Sequence, residues 1–249
     1  MIKKLSKEFK KKYINFVYSN RLIKLLKAFH YEKIIYQELT LNKTDKCLLL
    51  APHPDDETFG CGGMLLKYPE NFEVICLTDG RFGGHDDDPD ELIETRKQEF
   101  SSVMNQLNIS SYSMLGIKDR KLIYNYETFK SLNIEEFNYI FIPNYFDQHK
   151  DHKAVTNLLQ KLLINKKHNN NLKIVFYEVW SALAYPNYFI DLTDTIEKKK
   201  ELINIYKSQI KYVDFLNGIS SLNAYRGMLV DKSYAEFFSI IDIKTFMKF

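Results

Sequence analysis

Short, unbroken apolar runs recur along this chain, and several are followed by a polar cluster and then by a stretch of helical period. Cys47-Leu48-Leu49-Leu50-Ala51 is the first, and Phe72-Glu73-Val74-Ile75-Cys76-Leu77-Thr78 the second. Tyr139-Ile140-Phe141-Ile142-Pro143 and Lys173-Ile174-Val175-Phe176-Tyr177 follow. Runs this short, with little polar alternation, read as strands covered on both faces. Between and after them the period lengthens. Ile93, Phe100, Val103, Met104 and Leu107 share one face of a predicted helix from about 90 to 107. Val155, Leu158, Leu159, Leu162 and Leu163 are in register on another, and residues 195–211 read as a charged helix. Strands alternating with helices predict an α/β fold, a mostly parallel sheet with helices on both faces. In such sheets the functional loops follow the carboxyl ends of strands. Neither an internal repeat nor a second core interrupts the pattern, so one catalytic domain is expected over 46–249.

Residues 1–45 pattern differently. Leu5, Phe9, Tyr13 and Val17 recur every four residues, and Leu22, Leu25, Leu26 and Phe29 form a second stripe. A basic helical N-terminal extension is expected there. Residues 1–30 hold nine Lys or Arg and one acid, whereas the remaining 219 residues hold 26 basic and 31 acidic groups. The body is thus mildly acidic, which argues against a nucleic-acid partner. The cationic extension admits two readings: an arm packed on the body or on a partner, or peripheral contact with an anionic membrane surface through residues 1–30.

Composition narrows the class. At 249 residues, 45% hydrophobic and 27% charged, the chain can bury a sizeable core. Its three cysteines, Cys47, Cys61 and Cys76, are odd in number, and two fall in predicted strands. This argues for reduced thiols and a cytoplasmic setting rather than a disulfide framework. No run approaches the roughly 18 apolar residues of a membrane span. The basic start lacks the apolar core and cleavage site of a secretory signal. The expected location is cytoplasmic, with the inner membrane face as a peripheral site.

The candidate chemistry sits where two apolar runs end. After the first comes His53-Pro54-Asp55-Asp56-Glu57, and after the third Asp147-Gln148-His149-Lys150-Asp151-His152. Two imidazoles and a carboxylate with an open fourth position are the ligand set of a catalytic metal, and the chain has no CxxC pair to suggest a structural one. His53 and Asp56 can reach a metal from one tight loop, with His152 as the third ligand. Asp55 beside them is a candidate general base for a metal-activated water attacking an amide or ester carbonyl. His149 is the candidate imidazole for the developing oxyanion. Asp151, or else Asp147, is expected to hydrogen-bond His149 and raise its pKa; either could instead simply cap the following helix. Asp86-Asp87-Asp88 reads as a solvated acidic loop. Gly60, Gly62 and Gly63 read as a turn and do not spell GxGxxG. No elbow motif supports a Ser or Cys nucleophile. Tyr145, Phe146 and Trp180 are the candidate sugar-stacking aromatics.

With His53-Pro54-Asp55-Asp56-Glu57 followed by His149-Lys150-Asp151-His152, the chain resembles the LmbE-like family, the zinc-dependent de-N-acetylases that include PIG-L. Thr78-Asp79-Gly80, Arg96-Lys97-Gln98-Glu99, Asp191-Leu192-Thr193, Lys199, Tyr206-Lys207-Ser208-Gln209 and Ala235-Glu236-Phe237-Phe238 extend the resemblance in order, from about residue 46 to about 240. It implies a Rossmann-like sheet, one Zn2+ per chain (Fe2+ also suits the ligands) and hydrolysis of an N-acetylated sugar. It makes His53, Asp56 and His152 the metal ligands, Asp55 the base, His149 the oxyanion donor and Asp151 its partner. Arg81 and Arg96 are expected to contact substrate, with a structural Arg96–Glu99 pair as the alternative. The extension before residue 46 lies outside the family core.

Overall fold

The computed structural model describes residues 35–248, so the helical reading of residues 1–30 and their membrane contact lie outside the described residues. Among the described residues, 36–248 form one compact unit. Eight strands make one mixed sheet: β1 (Gln37–Glu38), β2 (Cys47–Ala51), β3 (Phe72–Thr78), β4 (Ser111–Ile117), β5 (Tyr139–Pro143), β6 (Lys173–Tyr177), β7 (Tyr188–Asp191) and β8 (Ala235–Asp242). Their order is β1-β7-β8-β6-β5-β2-β3-β4. β4, β3, β2, β5 and β6 run parallel, and β8 runs antiparallel to both β6 and β7. The four apolar runs are therefore central parallel strands, as their lack of alternation requires. β1 joins the sheet from within the stretch read as a helical extension. The strands β4, β7 and β8 were not read from the pattern, because their side chains mix exposed with buried positions or sit among motif residues.

Successive residues of each central strand face opposite sides. Cys47, Leu49, Ala51, Val74, Cys76 and Phe141 point into one layer, with α1 (Asp56–Lys67), α2 (Pro89–Gln106), α4 (Ile196–Ile203) and α5 (Phe215–Met228). Leu48, Leu50, Ile75, Leu77, Ile140 and Ile142 point into the other, against α3 (Lys150–Asn165). The predicted charged helix over 195–211 is broken into α4 and a single turn over Lys207–Ile210.

The glycines read as a turn lie inside α1 instead. The reason is close packing. A Cβ on Gly60 would stand 2.3 Å from the Tyr177 ring, and one on Gly63 1.9 Å from Leu192. Helix α1 can lie this near the sheet only without those side chains.

The chain passes from β2 to β3 and β4 on one side, then returns to place β5 and β6 on the other. The strand order reverses between β2 and β5, and a crevice opens beyond their carboxyl ends, where such sheets bind ligands. The His53 loop follows β2 and the Asp147–His149 loop follows β5. Topology alone brings the two sequence clusters together.

Candidate metal centre

Asp55 caps the start of α1 in a left-handed conformation, φ 146°, that a non-glycine residue rarely adopts. Three contacts hold it there. Its N–H donates to Glu57 Oε2 at 3.1 Å, Arg96 donates to Pro54 O at 2.8 Å, and Arg96 also reaches Asp55 Oδ2 at 2.8 Å. Arg96 also donates to Gly80 O at 3.0 Å. Gly80 sits at φ +64°, and a Cβ there would come within 2.8 Å of the guanidinium. Thr78-Asp79-Gly80, Arg96 and the His53 loop are thus one packing unit. The turn throws the Asp55 side chain to the cleft and leaves Asp56 as the first residue of the helix.

Asp56 Oδ2 lies between two imidazoles, 3.2 Å from His53 Nδ1 and 3.1 Å from His152 Nε2, and accepts the His53 N–H at 2.9 Å. His152 is wholly buried, and neither of its ring nitrogens makes a hydrogen bond, although Asp147 Oδ2 also stands 3.1 Å from Nδ1. A buried imidazole whose nitrogens are close to carboxylates but off the hydrogen-bond line fits a cation ligand better than a core histidine. A ring nitrogen of His149 joins those of His53 and His152 within 4.8 Å. The donors present fit a divalent metal.

The far side of His53 is occupied as well. Its Nε2 faces Asp119 Oδ1 at 3.3 Å and Asp151 Oδ2 at 3.5 Å. These two carboxylates could themselves be taken for ligands with His53. However, Asp119 Oδ2 accepts the Phe82 N–H at 3.1 Å, and Asp151 accepts the N–H groups of Arg120 at 2.6 Å and Leu122 at 3.2 Å. They orient the ring from behind, as carboxylates behind a ligating histidine do. Asp119 was not singled out in the sequence; a lone Asp two residues beyond β4 gives no signal until the strand itself is recognised.

Electrostatics follow from this acid-rich setting. Burial opposes charge on His53, but Asp119, Asp151 and Asp56 outweigh it and raise its pKa well above the usual value. Burial likewise lowers His152, yet Asp56 and Asp147 push it up to about 9. Burial disfavours the Asp56 anion, which His152 and His53 nonetheless hold well below the usual carboxylate range. Asp55 is the exception: burial pushes it up to about 8, with Arg96 pulling the other way. A cation entering this cluster displaces protons from imidazoles that the carboxylates hold charged.

His149 differs from expectation. The carboxylate of Asp151 does not reach it; instead the Asp151 N–H donates to His149 Nδ1 at 3.3 Å, and His149 caps α3. Asp151 is in the first turn of α3, so its side chain turns to the 119–122 loop, whose N–H groups need an acceptor. The His149 pKa is lowered, by burial and then by the positive His53 and His152. With Nδ1 accepting, the neutral ring carries its proton on Nε2.

Of the two arginines expected to contact substrate, Arg96 lines the cleft and Arg81 does not. Arg96 is buried and committed to the Asp55 turn, so it acts through Asp55, while Glu99 binds the N–H and hydroxyl of Ser208 rather than Arg96. Arg81 is tied to Asp79 at 2.8 Å and Asp90 at 3.2 Å and does not line the cleft. The cleft is lined by His53, Asp55, Asp56, Arg96, Asp119, Arg120, His149 and Gln209 on its polar side, and by Phe59, Phe82, Val179, Trp180 and Phe215 on its apolar side.

A mixed, mostly parallel α/β sheet with an acid–imidazole cluster in its switch-point cleft is the frame of an enzyme. A family model described as PIG-L: GlcNAc-PI de-N-acetylase matches residues 48–163 of this chain. A probable N-acetyl-alpha-D-glucosaminyl L-malate deacetylase 2 of Bacillus subtilis (strain 168) is 24% identical over 65% of this chain and 82% of its own length. A diacetylchitobiose deacetylase of Thermococcus kodakarensis is 26% identical over 68% of this chain and 71% of its own. The solved N,N'-diacetylchitobiose deacetylase of Pyrococcus horikoshii superposes with a TM-score of 0.70 at 25% identity, covering 79% of this chain and 84% of that one.

Proposed function

We propose that this chain is a zinc-dependent hydrolase that removes the N-acetyl group from an aminosugar, with His53, Asp56 and His152 holding the metal. The observation that carries the proposal is Asp55, a carboxylate held in a left-handed turn by Arg96 at the edge of a cluster in which neither ring nitrogen of the buried His152 has a hydrogen-bond partner. The names of the relatives support the substrate class, since both are deacetylases of N-acetylated sugars.

A divalent cation in this donor set supplies Lewis acidity, lowering the pKa of water and polarising a carbonyl. The chain's own groups do the rest. Asp55 accepts a proton from the attacking water and returns it to the leaving amine; a carboxyl raised towards neutrality suits both transfers. Arg96 fixes the orientation of that carboxyl. His149 presents Nε2–H towards the cleft and stabilises the developing oxyanion as a neutral donor, which its lowered pKa favours. Asp119 and Asp151 hold His53 from behind, and Asp147 stands behind His152. The aromatic side of the cleft receives the sugar.

The test is acetate release from a panel of N-acetylated sugars (free, nucleotide-linked and lipid-linked), with and without chelator. Chelator-sensitive release is expected. Asp55→Asn should lower it by about 10²–10⁴-fold with metal content and melting temperature retained. Stoichiometric metal binding without acetate release from any of the sugars would sink the reading.

A further inference from the structure

We propose that Trp180 is the wall on which the substrate's pyranose ring stacks, and that Asp147 is the positioning residue that fixes this wall relative to His149 and His152. The proposal rests on the deacetylase reading above and names the sugar-facing surface of the same cleft.

Of the aromatic candidates Tyr145, Phe146 and Trp180, only Trp180 lines the cleft. It does so with 53% of its surface exposed. An indole left half open presents a broad apolar face beside the acid–imidazole cluster, and the cleft divides into an apolar and a charged side. A pyranose matches that division, with C–H bonds on its face and hydroxyl and amide groups at its rim.

The wall is rigid. Trp180 stands edge-on to Phe215 at 5.1 Å, Phe215 stacks on Phe59 at 4.7 Å, and Phe59 meets Tyr206 at 5.9 Å. Phe59 belongs to α1, the helix that begins with Asp56, so the backing of the wall and a proposed metal ligand share one element. The loop after β6 that carries Trp180 is fastened twice. Asn144 Nδ2 donates to Ser181 Oγ at 2.9 Å, and Glu178 pairs with Arg226 and accepts the Leu183 N–H at 2.6 Å.

Asp147 joins this loop to the chemistry. It is wholly buried; Oδ1 accepts the His149 N–H at 2.9 Å, and Oδ2 accepts the Trp180 N–H at 3.3 Å while standing 3.1 Å from His152 Nδ1. One carboxylate therefore sets the spacing between an oxyanion donor, a proposed metal ligand and the aromatic wall. A ring stacked on Trp180 is carried to a fixed reach from His149.

Trp180 is the only tryptophan of the chain, so its fluorescence reports on this wall directly. The metal-loaded full chain is titrated with N-acetylglucosamine and N,N'-diacetylchitobiose, and with acetate and N-acetylglycine as ring-free controls. Binding is followed in parallel by calorimetry. A saturable emission change is expected with the sugars and not with the controls. Trp180→Ala should raise KM at least about tenfold with kcat within about threefold, and Trp180→Phe should restore most of the affinity. Asp147→Asn should lower kcat and shift the emission of the free protein. Calorimetric sugar binding without an emission change, or acetate release by Trp180→Ala at unchanged KM, would overturn the inference and leave the deacetylase reading standing. If the wild-type chain neither binds nor cleaves any N-acetylated sugar, the functional reading fails and the inference falls with it.

Discussion

Helix α1 touches two buried ionic clusters that solve the problem of burying charge in opposite ways. Under its middle, Lys199 Nζ donates to Glu236 at 2.7 Å, Phe59 O at 2.9 Å and Asn223 at 3.0 Å, and Glu236 in turn accepts the N–H groups of Gly63 and Met64. All three ammonium protons have acceptors, both carboxylate oxygens have donors, and the side chains of Lys199, Glu236 and Asn223 stand outside the cleft. At its N-terminus, Asp55, Asp56, Asp119, Asp147 and Asp151 crowd around His53 and His152. Acids outnumber imidazoles, the ring nitrogens of His152 have no hydrogen bond, and the cluster opens to the cleft. Burial and charge are common to both. Incomplete satisfaction next to open space marks the site for chemistry, because a closed network has nothing left to offer a ligand.

Breaking the closed cluster should cost stability and little else. Lys199→Met leaves Glu236 buried without its cation and should destabilise the fold by about 3–5 kcal/mol, measured by denaturant unfolding, with activity per folded molecule retained. An equally large fall in turnover per folded molecule would show the two clusters to be coupled. The open cluster should respond the other way. Asp119→Asn should retain the fold but weaken metal affinity by about 10–100-fold, read by competition with a chromophoric chelator; unchanged affinity would remove Asp119 from behind His53. The smallest effect belongs to Arg81, whose partners Asp79 and Asp90 lie outside the cleft. Arg81→Ala should alter KM by less than about twofold, and a larger rise would restore the expectation that it contacts substrate.

The same contrast explains what is legible in the chain. A site made of short-range groups is visible in the chain: His53, Asp55 and Asp56 sit within four residues, and His149, Asp151 and His152 within four more. The pairing of these groups with others is a matter of geometry. Asp151 is two residues from His149 yet sends its carboxylate to the 119–122 loop and His53. Arg96, facing the active loop from α2, also ties down the Asp55 turn, a pairing that its spacing in the chain does not reveal. The glycines of α1 look like a turn because a helix rich in glycine makes sense only once Tyr177 and Leu192 are seen against it.

Apolar runs without alternation were enough to give the parallel core of the sheet, because a strand buried on both faces must be apolar throughout. They also placed the two His–Asp clusters at strand ends. Folding was needed to choose among partners. The reversal of strand order between β2 and β5 closes about ninety residues of separation to about 3 Å between Asp56 and His152. Packing also recruits Asp119 from the loop after a strand the pattern did not show, and binds Trp180 to Asp147 across two loops. Hydrophobic periodicity is local and survives in one dimension. Hydrogen-bond partners and ligand geometry depend on distances between remote segments, which exist only after the chain has packed.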